Sequence, residues 1–418
     1  MKNVKHLRCV KCNKTFTVEP GLYTCKECGP TGILDVVYDY DYIASRLNKR
    51  ILSENKENSM WRYVELLPVE PDGPRPPLRV GWSPLYRVQR LGEQFGFSNL
   101  YLKDDGLNPT ASLKDRASAI AVARALEEGY DTVACSSTGN AASSLAGSAA
   151  AAGLKSVIFV PGRAPQGKVA QLKIFGAIVI SVQGSYQETF ELSAHAIAKY
   201  GWYNRNAAIN PFLVEGKKTV SLEIAEQLNW EMPDWIAISV GDGCTIAGVW
   251  KGFKDLQELG FISKIPKIIS VQAEGCYPIN RAFTLDKGFE PMEENTIADS
   301  IAVGVPRNPE KAVCAIRGSK GIAVNVSDDE ILEAMRNIGN FAGVFGEPAG
   351  VTAFAGVKKA VAKGLVDPKE TIVCCITGNG LKDVANGIKA AGEPIKISPS
   401  LEDLEKVLTS VTNIGTGK

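Results

Sequence analysis

Short apolar runs alternate with longer amphipathic stretches along most of this chain. The apolar runs predict strands at residues 99–103, 132–136, 156–160 and 177–181. The intervening stretches carry apolar residues at i, i+3 and i+4, which predicts helices over 116–128, 140–152, 166–175 and 185–200. A second series predicts strands at 235–239, 267–273 and 371–377, again with helices between them. Strands that are apolar throughout and joined by helices indicate parallel sheets covered on both faces, here as two α/β domains with a cleft between them.

Four of the ten cysteines form two Cys-x-x-Cys pairs near the start of the chain: Cys9 with Cys12, and Cys25 with Cys28. This spacing predicts a structural zinc site of the ribbon type. A segment this short cannot build its own core, so a closed tetrathiolate would supply its folding energy. The alternative is four reduced cysteines without a metal.

These patterns predict a division of the chain into four parts. Residues 1–45 form the zinc-ribbon-like segment, and 46–97 form a connector and the start of a larger domain. The connector, over 46–80, is expected to pass over the surface. Residues 98–205 form a smaller α/β domain that carries Lys114 and Asn140, and 206–418 complete the larger α/β domain.

Charge and composition exclude several classes of partner. The 418 residues include 47 Lys and Arg against 46 Asp and Glu, so no overall field attracts nucleic acid or an acidic membrane. No apolar run reaches the ~20 residues that a bilayer requires, and the basic start is not a secretory signal. We therefore expect a cytoplasmic protein whose partner is a small molecule. A zinc-ribbon binding module fused to an inactive α/β body is the competing interpretation.

Four polar segments lie where predicted strands lead into helices, the position at which α/β sheets bind ligands. They are residues 108–116 (NPTASLKDR), 136–140 (SSTGN), 241–245 (GDGCT) and 377–380 (TGNG). Lys114 lies at a helix start, where the helix dipole disfavours a cation. The same field favours the neutral amine, which is the form that condenses with an aldehyde.

In this order and spacing, the four segments resemble the motifs of fold type II pyridoxal-5'-phosphate (PLP) enzymes, the tryptophan synthase β family. Within that family the chain is most similar to the threonine synthases. The resemblance covers residues 80–390 and extends to the zinc-ribbon start. It implies a two-domain fold of open parallel sheets, PLP held as a Schiff base on Lys114, an amino-acid substrate and a homodimer.

The resemblance also implies roles for individual residues. Lys114 would move the protons of the reaction, Asn140 would bond the cofactor's ring hydroxyl, and Thr377 would face its pyridine nitrogen. A neutral hydroxyl there makes the ring a weaker electron sink than a carboxylate would, which favours elimination and replacement. The cofactor phosphate would be held by Gly241, Asp242, Gly243, Cys244 and Thr245, and the substrate carboxylate by Ser137, Thr138 and Gly139.

Other residues near these motifs are expected to be structural. Asn140 could instead be the N-cap of its helix. Asp115 and Arg116 are interpreted as an ion pair, and Glu347 is assigned no chemistry. In the lysine motif, Ala111 stands where relatives have glycine.

The chain departs from the family where a substrate phosphate would bind. Ala207 or Ala208 stands at the expected serine, and Leu213 at the expected arginine. An arginine clamp on a phosphate has no conservative replacement. Either other cations supply the charge, with Lys217, Lys218, Lys168 and Arg163 as candidates, or the substrate differs. The alternatives to threonine synthesis are cysteate synthase-like replacement on O-phosphoserine and elimination of the threonine or serine dehydratase type.

Overall fold

The computed structural model describes residues 1–162, 166–206 and 208–415. Its strands are β1 Val4–Cys9, β2 Thr15–Phe16, β3 Leu34–Tyr38, β4 Leu85–Arg87, β5 Asn99–Asp104, β6 Thr132–Ser136, β7 Lys155–Pro161, β8 Ile178–Val182, β9 Tyr203–Asn204, β10 Trp235–Ser239, β11 Lys267–Ala273, β12 Ile322–Val326 and β13 Thr371–Ile376. Its helices are α1 Tyr40–Ala44, α2 Lys49–Glu54, α3 Gln89–Phe95, α4 Lys114–Glu127, α5 Asn140–Ala152, α6 Gln166–Ile174, α7 Tyr186–Tyr200, α8 Phe212–Gln227, α9 Cys244–Glu258, α10 Pro278–Leu285, α11 Pro309–Gly318, α12 Asp328–Ala342, α13 Pro348–Ala362, α14 Val384–Ala391 and α15 Leu401–Gly415.

Two open sheets carry the body of the protein. The larger has the order β12-β11-β10-β13-β5-β4, and the smaller has the order β8-β7-β6-β9. All pairings in them are parallel except that of β4 with β5. The predicted α/β architecture of open parallel sheets is therefore confirmed.

Strand β5 belongs to the larger sheet, where it pairs with β13 from Asn99 opposite Thr371 to Asp104 opposite Ile376. The prediction had placed this strand in the smaller domain, which was drawn from residue 98. That placement is wrong, because sequence neighbourhood does not determine sheet partnership. Helix α4, which follows β5, then packs against α5 and α8.

The connector does not simply pass over the surface as predicted. A 3-10 helix, Met60–Leu66, buries its apolar side chains against the main core. Tyr63 and Leu67 are completely enclosed. This segment therefore contributes to the core of the larger unit.

Helices α4 and α8 meet in direct backbone contact. A Cβ on Gly216 of α8 would lie 2.2 Å from the carbonyl oxygen of Arg116 on α4. Only glycine permits this approach. It fixes the start of α4, and with it Lys114, beside α8.

The amino-terminal sheet, in the order β2-β1-β3, is antiparallel and rests on α8 and α9. The Tyr38 hydroxyl donates to Glu215 Oε2 at 2.9 Å, and the Tyr40 hydroxyl donates to Asp255 Oδ1 at 2.7 Å.

None of the helices in the described ranges combines the length and the apolar character that crossing a bilayer requires.

Candidate active site

Three parallel strands of the two sheets end at one cavity. Its walls include Lys114 at the start of α4, Ser137 after β6, residues 241–245 after β10 and Thr377 after β13. Carboxyl ends of parallel strands are where α/β folds bind ligands. The structure therefore brings together segments that are up to 263 residues apart in sequence, from Lys114 to Thr377.

The loop that carries Lys114 is hydrogen-bonded to the loop after β13. The Leu113 N–H donates to the Thr377 carbonyl at 2.9 Å, and the Asn379 N–H donates to the Ala111 carbonyl at 3.0 Å. Ala111 has φ +65°, a left-handed conformation that glycine adopts more easily. This geometry explains why a glycine suits this position in relatives. These bonds hold Lys114 and Thr377 against the same wall.

The environment of Lys114 favours its neutral amine. Burial, then the neighbouring charge of Lys217, lowers the pKa of Lys114 to about 8, while the carboxyl of Glu347 opposes the shift. A pKa near 8 leaves a useful fraction of free amine at neutral pH. The side chain thus suits condensation with an aldehyde.

Residues 241–245 form a tight turn into α9. Gly243 has φ +88°, and a Cβ on it would lie 2.5 Å from the carbonyl oxygen of Asn308. A Cβ on Gly241 would lie 2.9 Å from the Cα of Ile301. Backbone N–H groups at such a helix start can hold an anion without a positive side chain.

Asp242 within this turn binds a neighbouring loop. Its Oδ1 accepts the backbone N–H of Arg307 at 2.7 Å, and burial raises its pKa. Cys244 is buried, and burial raises the pKa of its thiol, which disfavours the nucleophilic thiolate. Both side chains hold the turn in shape.

Of the segment 137–140, only Ser137 lines this cavity, whereas Thr138, Gly139 and Asn140 line an adjoining pocket. Asn140 is the first residue of α5, and Gly139 is the N-cap. The interpretation of Asn140 as an N-cap is therefore wrong. Its Nδ2 instead donates to Glu347 Oε1 at 2.8 Å.

Glu347, to which the sequence assigned no chemistry, lines the adjoining pocket together with Asn140. It is buried, burial raises its pKa, and its N–H donates to the Gly378 carbonyl at 2.9 Å. It therefore contacts two of the four motif segments. Asn140 and Glu347 are 207 residues apart, so only the fold reveals this contact.

Asp115 and Arg116 do not form the expected ion pair with each other. Asp115 accepts bonds from the N–H and the hydroxyl of Thr110, at 2.8 and 2.7 Å. Arg116 binds Asp105 at 2.7 Å and Glu223 at 2.8 Å. Successive helix residues point in different directions, which explains the separate partners.

The candidates for a substrate-phosphate site take different positions. Ala208 and Lys217 line the cavity, whereas Leu213 packs in the apolar core of the smaller sheet. Lys218 is engaged by Glu215 and Asp255, and Lys168 by Asp299. Arg163 and Ala207 lie outside the described residues. Arg205, which the sequence analysis did not single out, also lines the cavity.

Comparisons with known proteins agree with this geometry. A model of the family "pyridoxal-phosphate dependent enzyme" matches residues 77–378. This range contains the first three motif segments and the first two residues of the fourth, 377–380. The chain is 41% identical to the threonine synthase of Methanocaldococcus jannaschii over 96% of this chain and 98% of that one. It is 38% identical to the threonine synthase of Methanosarcina acetivorans over the same shares.

This chain is a pyridoxal-phosphate dependent enzyme of the threonine synthase family. Among solved structures, the enzyme resembles threonine deaminase isoform 2 of Solanum lycopersicum with a TM-score of 0.64 and 24% identity, over 74% of this chain and 87% of that one. It resembles diaminopropionate ammonia lyase of Escherichia coli with a TM-score of 0.65 and 18% identity, over 80% and 93%. At these identities the likeness shows the fold alone.

The cavity of the enzyme fits pyridoxal phosphate in three respects. Lys114 offers an amine of lowered pKa, and the glycine turn offers backbone donors at positions where a Cβ would collide with neighbouring backbone. The hydroxyl of Thr377, a residue only 9% exposed, offers a neutral partner for a ring nitrogen. The donor set matches an aldehyde, a phosphate and a pyridine respectively.

The four amino-terminal cysteines of the enzyme lie together. Their four sulfur atoms all lie within 4.8 Å of one another, and Cys12 Sγ is 3.7 Å from Cys25 Sγ. Tetrahedral zinc–thiolate bonds of about 2.3 Å place sulfur atoms about 3.8 Å apart. The cluster fits a tetrathiolate metal centre.

Proposed function

We propose that the enzyme is a threonine synthase that converts O-phospho-L-homoserine and water to L-threonine and phosphate. The observation that carries the proposal is the 38–41% identity to threonine synthases over 96% of the chain. The convergence of its motif segments on one cavity supports it. The deaminase and lyase structures are more distant and do not favour another reaction.

Lys114 is the proposed catalytic residue. Its Nζ would hold the cofactor until the substrate takes its place, and the freed amine would then remove one proton from the substrate's Cα and one from Cβ. As phosphate leaves from Cγ, the amine would return one proton to Cγ. Water would add its hydroxyl at Cβ and give its proton to the departing phosphate, and the amine would return the second proton to Cα. The lowered pKa suits this role, because a neutral amine must be present to accept a proton.

Bound pyridoxal phosphate supplies an electron sink for the charge that develops at Cα. We propose that the turn of residues 241–245 holds its phosphate, that Thr377 faces its ring nitrogen and that Asn140 bonds its ring hydroxyl. Glu347 positions Asn140 through the 2.8 Å hydrogen bond. The second hydrogen of Asn140 Nδ2 has only a long contact of 3.5 Å with Ser300 Oγ, which a bond to the ring hydroxyl would replace.

The segment of Ser137, Thr138 and Gly139 is the proposed site for the substrate's α-carboxylate. It precedes α5, so its N–H groups lie at a helix start that favours anions. The Gly139 N–H currently donates to Ser137 Oγ at 3.2 Å. A carboxylate is the stronger acceptor and would replace this weak contact.

A product assay tests the proposal. Purified protein loaded with pyridoxal phosphate is given O-phosphohomoserine, and in parallel O-phosphoserine with sulfite, L-threonine, and L-serine. We expect equal amounts of threonine and phosphate from the first substrate. Cysteate from the second, or a 2-oxo acid as the main product of the others, without threonine synthesis, would contradict the proposal.

We also propose that the four-cysteine cluster binds structural zinc. The sulfur spacing and the closed set of four thiolates support it, because no coordination position remains for a substrate. Metal analysis of the purified protein tests this, and one zinc per chain is the expected result.

On the family resemblance, we propose that the protein is a cytoplasmic homodimer. Sedimentation of the holoenzyme tests the oligomeric state.

A further inference from the structure

The active-site cavity is lined by more cations than the proposed roles use. Besides Lys114, its lining includes Arg205, Lys217 and Arg307, whereas Asp242 is the one carboxylate among the described lining residues. An Asp242 oxygen accepts a backbone N–H and pairs with none of these cations in a salt bridge. The excess positive charge indicates a cavity suited to anions.

Arg205 is buried, and none of the described carboxylates forms an ion pair with it. It is 1% exposed, and its Nε donates to Ser118 Oγ at 3.0 Å. Its Nη2 has longer contacts of 3.4 Å to Ser144 Oγ and 3.5 Å to the Lys114 carbonyl. Among the described residues, its Nη1 group has no hydrogen-bond acceptor. The guanidinium is therefore held in place by neutral groups, with donors still available.

Lys217 is also buried, and no described residue pairs with it. It is 2% exposed, and its ammonium makes neither a hydrogen bond nor an ion pair with the part of the chain that the structure describes. The next residue, Lys218, is bound by Glu215 at 2.7 Å and Asp255 at 2.6 Å. Burial lowers the pKa of Lys217 and the charge of Arg205 lowers it further, whereas Cys244 and the charge of Asp242 oppose the shift. A buried ammonium without a counter-charge is costly, so a site that keeps one normally meets an anion there.

We propose that Arg205 and Lys217 form the binding site for the γ-phosphate of the substrate. This inference rests on the proposed threonine synthase function and names the residues that replace the missing clamp. Leu213 cannot serve because it packs in the core, and Ala208 offers the cavity only a methyl group. A phosphate monoester carries close to two negative charges at neutral pH, which two cations balance. The cofactor phosphate needs neither of them, since the turn of residues 241–245 supplies backbone donors.

The test uses Arg205→Met and Lys217→Met, with Lys217→Arg as a charge-preserving variant and Lys254→Met as a control on the exposed face of α9. Loss of Arg205 leaves Ser118 and Ser144 hydrogen-bonded to each other at 2.6 Å, so no polar group is orphaned. Two quantities are measured on each holoenzyme: KM for O-phosphohomoserine, and the Kd of inorganic phosphate by calorimetry. Cofactor occupancy and L-threonine affinity are measured alongside.

We expect each Met variant to raise KM and the phosphate Kd by about tenfold to a hundredfold, the usual effect of losing a charge-assisted hydrogen bond. Cofactor occupancy and threonine affinity should stay near wild type, Lys217→Arg should recover most of the loss, and Lys254→Met should have no effect. A loss of cofactor occupancy with an unchanged phosphate Kd would overturn the proposal, because the pair would then serve the cofactor. Unchanged values throughout would overturn it as well.

The proposed threonine synthase function and the proposed phosphate site of Arg205 and Lys217 can fail separately. If the wild-type enzyme makes no threonine but its inorganic phosphate binding depends on Arg205 and Lys217, the anion site stands and the substrate differs. If threonine is made and neither variant changes KM or the phosphate Kd, the function stands and the anion site is wrong.

Discussion

Glu223 is the centre of a buried network of four charges beneath the start of α4. Its Oε2 accepts bonds from Arg116 at 2.8 Å and from Lys103 at 2.7 Å, and Arg116 also binds Asp105 at 2.7 Å. Arg116, Lys103 and Glu223 are fully enclosed, and Asp105 nearly so. Because Arg116 follows Lys114 by two residues, the network also fixes the position of the proposed catalytic lysine.

We predict that Glu223→Gln destabilises the protein by about 3–5 kcal/mol. The variant removes one negative charge and leaves a net positive charge enclosed, which typically costs that amount. The pKa of Glu223 gives the same scale. The charges of Arg116 and Lys103 outweigh burial and lower it from 4.5 to about 2, which corresponds to roughly 3 kcal/mol. Since the folded pKa is depressed, this stability is present above pH 4.5 and is lost as the pH falls towards 2.

The assay is urea unfolding of the holoenzyme, followed by tryptophan fluorescence and by cofactor absorbance. Glu258→Gln is the matched control, because Glu258 is exposed on α9, and surface changes usually stay within about 0.5 kcal/mol. Multidomain proteins can unfold in steps, so the two signals are compared for each variant. A cost below about 1 kcal/mol for Glu223→Gln would refute the view that this network is a tightly coupled unit.

Four further predictions follow from the site. Lys114→Ala should abolish turnover while leaving the circular dichroism spectrum and melting temperature near wild type, and retained turnover would contradict the mechanism. Cys9→Ser should lower both the zinc content and the melting temperature without a direct effect on kcat, and unchanged metal and stability would disprove the metal centre. The rate at which apoenzyme takes up pyridoxal phosphate should rise with pH around a midpoint of about 8, as Lys114 loses its proton. Glu347→Gln should shift that midpoint to lower pH, because a carboxylate that favours the charged amine is removed; a shift to higher pH would contradict the assignment.

The strands of the fold could be predicted where they are buried on both faces. Strands β6, β10 and β11 have the predicted bounds, and every residue in them except Lys267 is buried. β12 was missed because it lies at the sheet edge and its residues alternate between partial exposure and burial. β8 was predicted but is also an edge strand, with Ile178 52% exposed, so its apolar pattern overstated its burial.

The candidate site could be predicted only where a local motif marks it. Lys114, Thr377 and the turn of residues 241–245 occur in recognisable segments, and the structure places them at one cavity. Arg205 and Glu347 carry no such signal, because what distinguishes them is burial and contacts with distant segments. A polar residue in a loop sequence is normally solvated, so only the fold identifies these two as enclosed.

The identity of the lysine that holds the cofactor is the most direct test of this account. Lys114 and Lys217 both line the cavity, and burial lowers the pKa of both, so each is chemically able to condense with an aldehyde. Borohydride reduction of the holoenzyme fixes the cofactor to its lysine, and peptide mass spectrometry then locates it. We predict a single phosphopyridoxyl group on Lys114. A group on Lys217 would contradict both the mechanism and the proposed phosphate site, and a group on any other lysine would contradict the mechanism.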